Sequence, residues 1–196
     1  MGIPEKWKQI PVPVKLFLLK AAVLFTAWKL LYLLILLPNR TLDRPLTYSI
    51  GVSTAKILNF SSHGAPYSVK GEINRTQLDG QPFSENVMNI YLGDQRVLMI
   101  ADVCNGLELM VLYAAFIICI PAGVYRKITF IVGGIVSIFV VNVLRCSALV
   151  MIYLHHPQYV YFSHHYFFTF ITYGFIFWLW YIFSRRQALS QKLKVE

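Results

Sequence analysis

From Ile128 to Tyr153 the chain runs for 26 residues in which Asn142 and Arg145 are the only strongly polar side chains. About 20 apolar residues in a helix cross the hydrocarbon of a bilayer, so this stretch is long enough to span. An arginine within such a run costs about 2.5–3.5 kcal/mol at the bilayer centre on insertion scales. Residues of this kind face the interior of a helix bundle, pair with a partner, and by default mark function. Asn142 lies three residues earlier on the same helical face, where it can hold the guanidinium. The bland alternative makes Arg145 a structural ion-pair partner for Glu108 or Asp102.

Three further apolar runs accompany it, at residues 16–37, 106–123 and 166–183. With 57% hydrophobic and 14% charged residues and a mean hydropathy of +0.55, the chain departs from soluble domains. It reads as an α-helical integral membrane protein of about four transmembrane helices. The first run is too long for a signal-peptide core and is followed by Pro38-Asn39-Arg40 rather than a small-residue cleavage site, so it is expected to stay as an anchor. Lys6 stands where a myristoylation signal needs Ser or Thr. Lys20 lies near the end of the first run and can snorkel, whereas Lys29 lies deeper and should face other helices.

The net charge of +9 would suggest nucleic acid in a soluble protein. Here the basic residues cluster beside the apolar runs, which is a topology signal, and nucleic-acid binding is not expected. Four spans place both termini on one side, together with Arg126 and Lys127 and the basic tail. Short basic loops govern orientation, so that side should be cytoplasmic.

Residues 38–104 differ in kind. Tyr48 to Phe60 is moderately apolar but too short to span, and fits a helix lying along the membrane surface. Asp79-Gly80 and Gly93-Asp94 suit two-residue hairpin turns. The second has flanks rich in Val, Ile, Leu and Met, so a small extracytoplasmic β-hairpin should deliver the chain to Cys104. The expected organisation is one membrane domain, 1–196. It divides into an N-terminal anchor (1–37), an extracytoplasmic segment (38–104), a three-helix catalytic core (105–183) and a basic cytoplasmic tail (184–196).

Cys104 sits at the seam between the polar segment and the apolar core. A thiol acts as a nucleophile as its thiolate, which a helix N-terminus and a nearby cation favour. Cys104 directly precedes a predicted helix, with Gly106 two residues on. Cys119 and Cys146 fall within apolar runs and read as core filler. The pair His164-His165 precedes the last run on the same side of the membrane, where one imidazole could take the thiol proton and later give it to a leaving amine. His155 and His156 precede Pro157 in a loop and read as solvated. No HExxH or finger-like spacing is present and no acid lies among the histidines, so neither a metal nor another cofactor is expected. The aromatic stripe from Tyr166 to Phe183 reads as packing against lipid.

The order is Cys-x-Gly opening a span, Asn-x-x-Arg late in the next, and His at the start of the last. In this it resembles the exosortase/archaeosortase family of membrane-embedded cysteine transpeptidases. The resemblance covers roughly residues 85–183, and the wording His-His-Tyr-Phe-Phe-Thr-Phe is most similar to the exosortase F branch. It implies cleavage of a C-terminal sorting signal on exported proteins, consisting of a short motif, a transmembrane helix and a basic tail. A thioester would form and pass to water, an amine or a lipid-linked acceptor at the outer face of a bacterial cytoplasmic membrane. By motif, Cys104 would be the nucleophile and Arg145 would support the oxyanion or orient the substrate. His165, or alternatively His164, would be the acid/base, with Asn142 and Gly106 in support. The sequence departs from the family pattern at Asn105, where many relatives have Ser, and four residues after the histidine, where many have Gly. His165 puts Thr169 there and His164 puts Phe168; Thr is the smaller replacement, which favours His165. A non-enzymatic membrane assembly or export-associated subunit, with Arg145 as a structural ion-pair residue, is the rival reading.

Overall fold

The structure is a computed structural model and describes residues 11–36, 38, 40–61, 64–78 and 81–192. Helix α1 (Val12–Leu31) begins behind Pro11, where the ring is tolerated because first-turn N–H groups have no helical partner. It continues as a π-helical segment, Tyr32–Leu36. Helix α2 (Asp43–Ser61) follows, with Asp43 in its first turn. The chain then forms β1 (Tyr67–Leu78), β2 (Gln81–Leu92) and β3 (Gln95–Ala101). A 3-10 turn, Asp102–Cys104, leads to α3 (Leu107–Cys119) and α4 (Val124–His155). A 3-10 turn at Pro157–Tyr159, a short α turn and a π segment at Ser163–Phe167 precede α5 (Phe168–Lys192).

Among the described residues three helices are long and apolar enough to cross a membrane, Val14–Leu36, Val124–His155 and Pro157–Gln187. The fourth apolar element, Leu107–Cys119, is shorter. At 1.5 Å per residue its 13 residues rise only about 20 Å, less than the roughly 30 Å of a hydrocarbon core. The predicted run 106–123 overestimates the helix because Pro121-Ala122-Gly123 continues its apolar character in extended chain.

The predicted surface helix exists, starts five residues earlier than Tyr48, and packs against protein. Asp43, Thr47, Ile50, Gly51, Thr54, Ala55 and Leu58 form its buried stripe at helical spacing. A Cβ on Gly51 would lie 3.3 Å from Val69 Cγ1, which shows how closely α2 approaches the sheet. The expected hairpin is the second half of an antiparallel three-stranded sheet in the order β1-β2-β3. Val69 pairs with Ile90 and Ile90 with Leu98, with an irregularity between Ile90 and Tyr91. Gly93, at φ +59°, makes the β2–β3 turn, which favours glycine. The Asp79-Gly80 turn lies outside the described residues, although the strands on either side of it pair as that turn requires. Asn59 clamps the start of β1, accepting from Tyr67 N–H at 2.7 Å and donating to Tyr67 O at 3.0 Å.

Two apolar cores result. One joins α2, the sheet and the C-terminal half of α4, through Ile50, Leu58, Ile90, Ile100, Val143 and Val150. The other joins α3, α4 and α5, through Tyr113, Ile117, Ile138, Ile176 and Phe183. Helix α4 belongs to both. Its 32 residues rise about 48 Å, well beyond a hydrocarbon core. The end that packs on the sheet therefore has protein around it where the sequence suggests lipid, and that end carries Arg145.

Candidate active site

Cys104 closes the 3-10 turn that links the sheet to α3. The geometry of this turn is fixed from several directions. Asn105 N–H donates to Asp102 O at 3.2 Å. Asn142 Nδ2, on α4, donates to the main-chain carbonyl of Cys104 at 3.1 Å. Gly106 takes a left-handed conformation, φ +79°, and a Cβ there would lie 3.5 Å from Asn142 Nδ2. Asn105 Oδ1 accepts the Leu107 N–H at 2.8 Å and so occupies one of the orphan donors that begin α3.

A cavity of about 270 Å³ opens at this turn. Cys104, Asn105 and Gly106 line it, with Arg145 from α4 and Thr169 and Thr172 from α5. The structure thus brings together two of the residues marked by the sequence, Cys104 and Arg145, on the wall of one cavity, with Gly106 also on that wall and Asn142 bonded to the Cys104 carbonyl. The histidines are one step removed. Neither is among the lining residues; their segment is joined to the wall through Thr169, whose hydroxyl donates to His164 O at 3.3 Å. His164 is half-buried. His165 is exposed and lies against Tyr161, ring centroids 4.5 Å apart. His155 is exposed at the end of α4, its ring nitrogen 2.9 Å from Met151 O.

Electrostatics separate Arg145 from the acids that the sequence offers it. Glu108 pairs with Lys29 at 2.6 Å and Asp102 with Arg40 at 3.2 Å. Among the described residues Arg145 joins no salt bridge, and its Nε is buried without a hydrogen-bond partner. A buried donor without a partner costs about 1–3 kcal/mol, so this arginine is not explained by the fold alone. The Lys29–Glu108 pair also accounts for the deep lysine of α1. Among the described residues no group of three or more His, Cys, Asp or Glu is placed to hold a metal ion.

Sequence reasoning missed the second layer. Tyr32 from the π segment after α1, Arg40 from the turn before α2, and Asp43 and Thr47 from α2 surround the Cys104 turn, about 60 to 70 residues away in the chain. One signal was available, a carboxylate opening a helix whose buried stripe includes it, but nothing in the sequence says which turn that stripe faces.

A family model described as transmembrane exosortase matches residues 12–184. The chain belongs to the transmembrane exosortase family. The match covers both the sheet and the helical core, so the exosortase assignment extends well beyond the three motifs. No curated protein and no solved structure matches the chain significantly. As an exosortase it has a membrane transpeptidase-type role in general, and the cavity at Cys104 is the candidate seat of that chemistry.

Proposed function

We propose that this exosortase cleaves the C-terminal sorting signal of exported proteins by acyl transfer through Cys104. One observation carries the reading: Cys104 and Arg145 line the same cavity, while the neighbouring acids Glu108 and Asp102 are engaged by other cations. A cation left without an acid in this way suits charge that develops only during reaction, as on the oxygen of a tetrahedral intermediate. It also weakens the structural ion-pair reading of Arg145.

In the proposed sequence the Cys104 thiolate attacks a peptide carbonyl carbon and forms a C–S bond, and the negative charge passes to the carbonyl oxygen beside Arg145. The C–N bond then breaks, and the leaving amine takes a proton from an imidazolium. The acyl-enzyme thioester passes to water, an amine or a lipid-linked group, which restores the thiol. The N–H of Asn105 is already committed to Asp102 O, so backbone help would come from Gly106 N–H, on the cavity wall. We assign the acid/base role to His164, the half-buried member of the pair, whose carbonyl is hydrogen-bonded to Thr169 on the cavity wall; His165 is the alternative. The motif wording favours the exosortase F branch, and the short basic loops favour cytoplasmic termini with the cavity on the outer face of the membrane.

The test is co-expression with an exported reporter ending in a candidate motif, a transmembrane helix and a basic tail. Wild type should release the tail and Cys104→Ala should leave it attached at equal membrane abundance. Normal processing by the alanine variant would overturn the proposal.

A further inference from the structure

We propose that Asp43 is a positioning residue for this chemistry, acting through Asn105 to hold the turn that carries Cys104. The inference rests on Cys104 being the nucleophile, but its physical content, a clamp on that turn, is measurable without a substrate. Asp43 is 2% exposed and Asn105 1% exposed. Asn105 Nδ2 donates to Asp43 Oδ1 at 2.9 Å, and Tyr32 OH donates to Asp43 Oδ2 at 3.0 Å. The other end of the same amide, Asn105 Oδ1, accepts the Leu107 N–H. A chain of three hydrogen bonds therefore runs from the end of the first membrane helix, through Asp43 and Asn105, to the start of α3, and Cys104 precedes its central amide.

A bland explanation is available: acids open helices because they complement the dipole and cap its free N–H groups. Asp43 does open α2, yet each of its carboxylate oxygens has a partner in another element, one in the π segment after α1 and one beside the nucleophile. Among the described residues it also lacks a salt bridge, since the two present use Glu108 and Asp102. Burying a carboxylate without a cation is expensive unless donors and a helix terminus offset it. A neutral acceptor at this point would satisfy one oxygen's worth of donors. The carboxylate joins Tyr32 and Asn105 at once, and so ties the membrane anchor to the Cys104 turn. Thr47 reinforces the arrangement: its Oγ1 lies 2.8 Å from Asp102 Oδ1, 2.9 Å from Asp43 O and 3.3 Å from Asn105 Nδ2.

The experiment is a double-mutant cycle on the full chain in detergent or nanodiscs: D43A, N105A and D43A/N105A, each at a temperature where it is folded. The substrate-independent readout is the rate at which a water-soluble maleimide alkylates Cys104, followed by mass spectrometry of the Cys104 peptide. The second readout is tail cleavage, separated into kcat and KM. Each single variant should shift the alkylation rate at least threefold and lower kcat at least tenfold with KM within twofold. The double variant should be no worse than the worse single, within twofold. The exchange D43N/N105D, which reverses donor and acceptor while keeping bonds to Tyr32 and Leu107, should recover most of the D43A loss. Unchanged alkylation in D43A, effects that multiply in the double variant, or a change in KM alone would overturn the positioning role. If wild type itself cleaves no tail, the functional reading fails, and the alkylation cycle still decides the clamp.

Discussion

Lys29 Nζ, in the last turn of the first membrane helix, lies 2.6 Å from Glu108 Oε1 in the first turn of α3. Both groups also border the apolar groove between these helices. Within or beside a bilayer the pair holds α1 against α3 by cancelling two charges that would each be unfavourable alone.

Removing one partner should therefore harm more than removing both. K29M or E108Q alone is expected to reduce the yield of folded, membrane-inserted protein, and K29M/E108Q to recover it at least to the level of the better single variant. Fluorescence-detected gel filtration of equal membrane fractions measures this. A double variant worse than both singles would show that the two charges do not interact.

Arg145 should separate activity from stability. As an oxyanion donor its loss in R145M is expected to lower kcat for tail cleavage about 10²–10³-fold. Because its Nε is buried without a partner among the described residues, the same substitution should leave the thermal midpoint unchanged or raised. A drop in midpoint that accounts for the lost activity would point to a structural role.

Gly106 and Asn142 control how the Cys104 turn approaches α4. Gly106→Ala places a side chain at φ +79°, a strain of about 1–2 kcal/mol, and pushes toward Asn142 Nδ2. Asn142→Ala removes the bond to Cys104 O, a loss of about 0.5–1.5 kcal/mol or more since that group is partly buried. Both should alter Cys104 alkylation in the absence of substrate, and both should lower the thermal midpoint.

Two adjacent glycines of α4 should behave oppositely. A Cβ on Gly134 would run into the Tyr113 ring, whose hydroxyl donates to Phe130 O at 2.8 Å, whereas a Cβ on Gly133 meets open space. Gly134→Ala should destabilise by about 1–3 kcal/mol through overpacking, and Gly133→Ala should be neutral or slightly stabilising. Thermal midpoints of the two variants in one detergent decide the matter.

What the sequence reveals here follows the range of its physical signals. Apolar runs of membrane-spanning length are the strongest signal, so α1, α4 and α5 are visible, although α5 continues nine residues past the run's end at Phe183 through the basic stretch that follows. Cys104 and Arg145 stand out because each interrupts a local pattern. The start of α2 is hidden because Asp43-Arg44-Pro45 looks like loop, although a proline is tolerated in a helix's first turn. The roles of Asp43 and Tyr32 depend on a turn about 60 and 70 residues away, which no periodicity encodes. The two histidines are equivalent as neighbours in sequence. The π segment Ser163–Phe167 turns His164 inward and leaves His165 exposed, a local widening of the kind that clusters at functional sites.

The sheet that leads into the Cys104 turn and the helix that carries Arg145 share one apolar core, through Ile90, Ile100, Val143 and Val150. Cys104 and Arg145 therefore ride on the same packed body. Thinning or thickening the bilayer would tilt or submerge that body as a whole and leave the spacing between the two groups intact. A site made this way keeps its geometry while the lipid around it changes. On the proposed function, what the lipid then sets is the depth at which a substrate's membrane helix must present its cleavable bond.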